Sequence, residues 1–510
     1  MSDPYPADTI QALLGPAAPQ ARAIGAPGRP WLSHAGLREL VAATAARLNR
    51  AGIGRNDRVA IVLPNGPEMA AAFVAIASAA TTAPLNPAYK ADEFDFYLAD
   101  LDARALVIQE GMASPAREVA AARAIPIVEL RPGEAAGSFT LHPPAALAGT
   151  PAHPGPAAAE DVALVLHTSG TTSRPKIVPL SHINVTASAF HIARALALTP
   201  DDCCLNIMPL FHIHGLMAAT LASLGAGASV CATPGFNAFR FFAWFDEARP
   251  SWVTAVPTMH QALLPYADRN REIIARGRLR LLRSSSASLP PQVMAALEAA
   301  FGVPVIESYG MTEASHQMAS NPLPPAPRHP GSVGIAAGPE IAIMDEAGTL
   351  LPTGARGEVV IRGRNVTAGY EANPEANAKA FTHGWFRTGD EGWLDDAGYL
   401  RLSGRLKEII NRGGEKVSPL EVDAVLMDHP AVQQVVTFAM PHAKLGEEVA
   451  AAVVLRPGTA ADEGALRGFA AERLAGFKVP RRIVVLDEIP KGATGKLQRI
   501  GLAAKLGLGE

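Results

Sequence analysis

Only three cysteines occur in 510 residues, Cys203, Cys204 and Cys231, and two of them are adjacent. So few exclude a disulfide framework, and their spacing fits no zinc site. A reducing cytoplasm is the expected home. An excess of positive charge is also missing: 45 Lys and Arg stand against 48 Asp and Glu, a net charge of -3 that gives no reason to expect nucleic acid. The opening MSDPYPADTIQALL carries acidic residues where an export signal is cationic, and the final GLGE is no peroxisomal address. There is no internal repeat. The longest uncharged run, residues 215–239, is broken by Gly225, Gly227, Pro234 and Gly235, so it reads as a buried helix followed by a buried strand and no membrane span is expected.

What is present is a large globular composition, 48% hydrophobic and 18% charged, in a chain too long for one core. Up to about residue 400, short β-branched runs (RVAIVL, ALVIQ, IPIVEL, DVALVLHT, VPVIESYG) alternate with Ala/Leu-rich helical stretches such as residues 68–80. That alternation predicts an α/β fold of helix-covered parallel sheets. The Pro/Ala/Gly-rich residues 143–156 read as a surface connection between subdomains, and residues 331–363, with short strands and Gly/Pro turns, as a small β subdomain or barrel. A second break near Gly404 opens a compact α+β module, in which Ser418-Pro419-Leu420-Glu421 predicts a capping box with proline in the first turn. The expected organisation is a large domain over 1–404 and a small domain on a hinge over 405–510.

The most informative stretch is His167-Thr168-Ser169-Gly170-Thr171-Thr172-Ser173-Arg174-Pro175-Lys176, directly behind the strand DVALVL. Hydroxyls, a glycine and two cations in ten residues after a strand make a donor-rich loop suited to a polyphosphate. No G-K-[ST] closes it, so it is not a Walker loop. A solvated Ser/Thr loop is the bland alternative.

This loop, the segments ESYGMTE, WFRTGD and GRLKEIINRGGEKVSPLEVD, and the terminal PKGATGK together resemble, in order, the core motifs of adenylate-forming enzymes, the acyl-CoA synthetase superfamily. The match spans nearly the whole chain. The resemblance implies ATP, Mg²⁺ and coenzyme A as ligands of a cytoplasmic acid–thiol ligase, monomeric or homodimeric. It implies that Ser169, Gly170, Thr171, Thr172 and Lys176 hold phosphates and that Ser308, Tyr309, Gly310, Met311 and Thr312 line the nucleotide, Tyr309 against the adenine. Glu313, helped by Thr168, would bind Mg²⁺. Asp390 and Arg405 would hold the ribose, Lys496 would bridge the acid and the α-phosphate, Lys407 would be the hinge, and Gly413 and Gly414 would border the pantetheine tunnel. Ile177 departs from the pattern, standing where a glycine often follows the loop lysine.

The acid is less directly written. Pro209-Leu210-Phe211-His212-Ile213-His214-Gly215 resembles the segment whose histidine lines the acyl site, and His316 follows Glu313 where fatty-acid enzymes lead towards an apolar pocket. With Ser286 from SSSAS, three histidines make a short polar cavity suited to a small diacid, because an unpartnered buried carboxylate costs several kcal/mol. The ensemble resembles most the oxalate–CoA ligase group. Malonate, another short, medium-chain or aromatic acid, transfer to a carrier-protein thiol, and a nucleotide-binding protein without catalysis remain alternatives, as do ordinary buried roles for His214 and His316.

Overall fold

The computed structural model describes residues 5, 7–168, 175–491 and 497–508. Two large sheets form the body of the chain. One has seven strands, with a parallel interior and the antiparallel strands Phe139–His142 and Lys176–Ser181 at its edges. The other has nine, parallel from Arg22–Gly25 to Val305–Met311 and closed by antiparallel strands on both sides. Helix Pro67–Ala77 packs against strands of both sheets and buries every one of its residues, which is why its sequence is apolar on every face except at Glu68, paired with Arg29. The expected helix-covered parallel sheets are present.

The uncharged run beginning at Gly215 is a buried helix followed by the buried strand Ser229–Ala232, as its composition implies. The helix opens as a π-helix, His214–Leu221, a wide winding that recurs at functional sites. Gly215 permits this start, since a Cβ there would lie 2.4 Å from the Pro209 carbonyl oxygen. Among the described residues no helix is long and apolar enough to cross a membrane.

Two expectations need correction. Residues 143–156 do form a surface connection, but it joins Phe139–His142 to Val162–Thr168 within the seven-stranded sheet and so separates no subdomains. The β unit does not end at residue 363. Its antiparallel sheet runs from Glu340–Met344 to Leu400–Arg405, while Ile335–Ala336 belongs to the nine-stranded sheet. Both errors come from reading composition where pairing partners are distant in sequence.

Beyond Arg405 a further five-stranded sheet is built on the long hairpin Val432–His442 and Gly446–Leu455. Its first helix, Pro419–Met427, is capped by Ser418, whose hydroxyl oxygen accepts from the Glu421 N–H and whose proton goes to the Ser403 carbonyl. The reciprocal half of the expected capping box is missing. Glu421 instead accepts from Lys478 Nζ at 2.7 and 2.8 Å, and a charge-assisted pair outcompetes a neutral backbone donor.

One buried acid carries a stability prediction. Glu307 is 2% exposed, its Oε1 accepts from the Leu289 N–H at 2.9 Å, and Oε2 has no partner among the described residues. Burial pushes its carboxyl from 4.5 up to about 8. The folded chain then holds a proton that the unfolded chain has released, so this contribution is full below about pH 4.5 and is lost as pH rises through about 8. Glu307→Gln is expected to remove that loss, on the order of 1–3 kcal/mol between about pH 5 and 9. Urea midpoints across that range check it, and an unchanged pH dependence would refute a protonated Glu307.

Candidate active site

Two clusters meet on one hairpin. Its first arm is Val305–Met311, its turn is the short helix Thr312–Ala314, and its second arm is His316–Ser320. The arms approach so closely that a Cβ on Gly310 would sit 1.6 Å from the His316 carbonyl oxygen. Gly310 is therefore required by the backbone itself, whatever else it touches. Ser315 and His316 have φ of +49° and +104°, and Ser286, across the sheet, has +74°. Non-glycine residues held there cost about 1–3 kcal/mol each and concentrate at functional sites.

The first cluster gathers around Tyr309 and Glu313. Tyr309 is buried and donates its hydroxyl to Asp390, and Arg405 Nε lies 3.6 Å from the other Asp390 oxygen. Burial, with Asp390 beside it, holds the Tyr309 phenol well above its ordinary range. Glu313 is 6% exposed, and its Oε1 accepts from the Tyr370 hydroxyl at 2.8 Å. Burial pushes its carboxyl up, against the opposing pull of the Tyr370 hydroxyl, Arg405 and Lys176. Lys176 Nζ lies 4.3 Å from the Tyr370 ring centroid, a cation–π contact. Thr168 pairs with Lys176 in the register of strands Val162–Thr168 and Lys176–Ser181. Ser308 is buried, its backbone carbonyl accepting from the Ser285 hydroxyl at 3.0 Å, and Met311 and Thr312 continue the hairpin towards Glu313.

The second cluster joins His214, Ser286 and His316, as the sequence suggested. His214 Nδ1 is 3.0 Å from Ser286 Oγ, its Nε2 is 2.6 Å from Thr254 Oγ1, and the His214 and His316 rings lie 4.8 Å apart at 31°. His212 borders them, its Nδ1 accepting from the His214 N–H at 3.3 Å. Behind the histidines stands a residue that sequence reasoning passed over, Arg283, fully buried and 3.3 Å from His316 Nε2. An arginine in the fully buried strand Leu281–Ser285 is an anomaly that demands a partner. Tyr370 was also missed, and it lies 57 residues from the carboxylate it serves.

Other expected residues are not drawn into either cluster. Lys407 lies in an exposed turn after Leu400–Arg405, and no hydrogen bond or ion pair among the described residues ties it to Tyr309, Glu313 or Asp390. Gly413 and Gly414, with φ of +60° and +99°, form the exposed two-residue turn between Ile410–Arg412 and Glu415–Val417, a hairpin geometry that itself selects glycine. Ser169, Gly170, Thr171, Thr172 and Lys496 lie outside the described residues.

A buried carboxylate that meets only neutral hydroxyls and more distant cations suits a hard metal ion. Glu313 has no ion-pair partner within 4 Å among the described residues, and no three His, Cys, Asp or Glu side chains converge there. Mg²⁺, which binds through one or two protein oxygens and completes its shell from phosphate and water, fits that donor set.

Tyr309, Asp390 and Arg405 thus form one cluster near the buried Glu313, and comparison with known proteins supplies the family. The chain belongs to the AMP-binding enzyme family, whose model matches residues 16–371, with the AMP-binding enzyme C-terminal domain matching residues 421–496. It is 46% identical to an oxalate–CoA ligase of Arabidopsis thaliana, over 96% of this chain and 97% of that protein. An oxalate–CoA ligase of Saccharomyces cerevisiae is 41% identical, over 87% and 86%. Among solved structures, ATP-bound MatB from Rhodopseudomonas palustris superposes with a TM-score of 0.86 at 30% identity, covering 96% of this chain and 97% of that one.

Proposed function

We propose that this chain is an ATP-dependent, AMP-forming acid–CoA ligase and that its acid is oxalate. The observation that carries the choice of acid is the second cluster: the buried His214 and His316 beside the half-buried Ser286, backed by a buried guanidinium. Such a cluster would strand a fatty or aromatic chain against polar groups, whereas a two-carbon diacid brings a second carboxylate to accept from them. The oxalate–CoA ligases among its relatives support the same reading.

In the first half-reaction a carboxylate oxygen attacks the α-phosphorus of ATP and the bond to pyrophosphate breaks. Two anions must approach, so the residues that matter are those that place positive charge between them. Lys496 takes that role, while Lys176 and the loop Ser169, Gly170, Thr171 and Thr172 hold the phosphate tail. Tyr309 lies against the adenine and Asp390 with Arg405 holds the ribose. Glu313 and Thr168 would hold Mg²⁺, which would neutralise phosphate charge. In the second half-reaction the thiol sulfur of coenzyme A attacks the acyl carbon and AMP leaves, with Gly413 and Gly414 bordering the pantetheine.

The two steps expel different leaving groups, so the reading includes rotation of residues 405–510 against 1–404 about Lys407. Its exposed turn lets a φ/ψ change occur there without breaking core contacts. Lys407→Pro is expected to lower thioester formation from supplied adenylate about 10- to 100-fold while changing adenylate formation about threefold or less. Unchanged thioesterification would place the hinge elsewhere. The enzyme so read is cytoplasmic, a monomer or homodimer.

Pyrophosphate release measured with oxalate, malonate, longer diacids and matched monoacids tests the whole proposal. Oxalate should give the highest kcat/KM. Preference for malonate or a monoacid would reassign the substrate, and a carrier-protein thiol outperforming coenzyme A would reassign the acceptor.

A further inference from the structure

Arg283 sits in the parallel interior of the nine-stranded sheet, with no exposed surface. Burial lowers its pKa only to about 9, so it is charged at neutral pH. A buried guanidinium is normally matched by a carboxylate, yet among the described residues none pairs with Arg283. Its Nη2 donates to Gln317 Oε1 at 3.2 Å. Its Nη1 lies 3.3 Å from His316 Nε2, 3.3 Å from Thr254 Oγ1 and 3.5 Å from His214 Nε2. Nε has no partner among the described residues.

Arginine offers donors and no acceptor, so whatever faces it must accept. His316 Nε2 accepts from Nη1, which leaves the ring proton on Nδ1. Thr254 Oγ1 accepts from Nη1 as well, and its own hydrogen then points to His214 Nε2, 2.6 Å away. His214 is thereby also an Nδ1–H ring, donating to Ser286 Oγ at 3.0 Å. Protonating both rings would set two cations 4.8 Å apart in front of a third, which like-charge repulsion opposes.

We propose that Arg283 is the positioning residue of acid recognition: it fixes His214 and His316 as neutral Nδ1–H donors and keeps an unneutralised positive charge behind them, so the pocket selects a small dicarboxylate. The inference rests on the reading of this cluster as the acid site. Arg283 does not touch the acid. It acts through the two imidazoles and through a charge that a doubly negative ligand satisfies better than a singly negative one.

The test uses the full chain labelled with nitrogen-15 in its histidines and free of ligand, with His214→Gln and His316→Gln to assign the ring signals. In the native protein both rings should show the neutral, Nδ1-protonated pattern at neutral pH. In Arg283→Met, His316 should become a tautomer mixture. Kinetically, Arg283→Met should lose about 10- to 100-fold in kcat/KM for oxalate, mostly through KM, and about threefold or less for a monocarboxylate. Arg283→Lys, which keeps the charge without the fork, should recover part of the diacid preference but not the tautomer pattern. Unchanged tautomers in Arg283→Met, or equal losses for both acids, would overturn the proposal. Should Arg283→Met fail to fold, the native spectrum decides, because imidazolium or Nε2–H rings at neutral pH are incompatible with it. A native enzyme that prefers another acid would remove oxalate as substrate, while the tautomer result would stand or fall separately.

Discussion

Lys496→Ala is expected to lower acid-dependent ATP–pyrophosphate exchange by about 100- to 1,000-fold, the effect of removing one preorganised charge from a developing anionic transition state. Thioester formation from supplied oxalyl adenylate should change by about threefold or less, because the carboxylate and the α-phosphate are already joined in that substrate. The contrast between the two half-reactions is the informative quantity. A lysine needed only to fold its segment would impair both equally, and equal impairment would withdraw the bridging role. Stopped-flow measurement of each half-reaction on the same preparation makes the comparison.

His316→Leu is expected to lower kcat/KM for oxalate by about 100-fold and to leave a short monoacid within about threefold. The loss comes from unpaired charge. Leucine removes a donor next to His214 and leaves Arg283 facing an alkyl group 3.3 Å from where an imidazole nitrogen stood, so a second carboxylate entering the cavity would lose a hydrogen bond that water cannot replace. A monoacid brings no such carboxylate. Parallel losses would mean that the substitution has disturbed the hairpin itself, and His316 would then leave the list of pocket residues.

The fold and its motifs were legible because both rest on local patterns. Short β-branched runs such as ALVIQ became the strand Ala105–Gln109 with no change of boundary, and the Ala-rich stretch at 68–80 supplied most of the buried helix between the sheets. What escaped was non-local. The β unit depends on Glu340–Met344 pairing with Gly357–Arg362, and that strand pairing with Trp385–Leu394, and nothing in residues 331–363 announces the later partner. In the candidate site, Tyr309, Glu313 and Asp390 stand in motifs that can be read from sequence, whereas Tyr370 has no motif and becomes visible only when its hydroxyl meets Glu313. Gly413 and Gly414 show the converse: the pair was read for what it lets approach, and the structure supplies a turn that needs glycine in any case.

The shared hairpin has a consequence for how such a scaffold changes its taste in acids. Tyr309 leaves one arm, beside the glycine pressed against a carbonyl, Glu313 sits in the three residues of tight helix that join the arms, and His316 begins the other. An insertion, deletion or added Cβ there would shift Tyr309, Glu313 and His316 as one body. If the two clusters serve nucleotide and acid as proposed, a new acid is reached by exchanging side chains at fixed backbone positions, with the length of this connection kept.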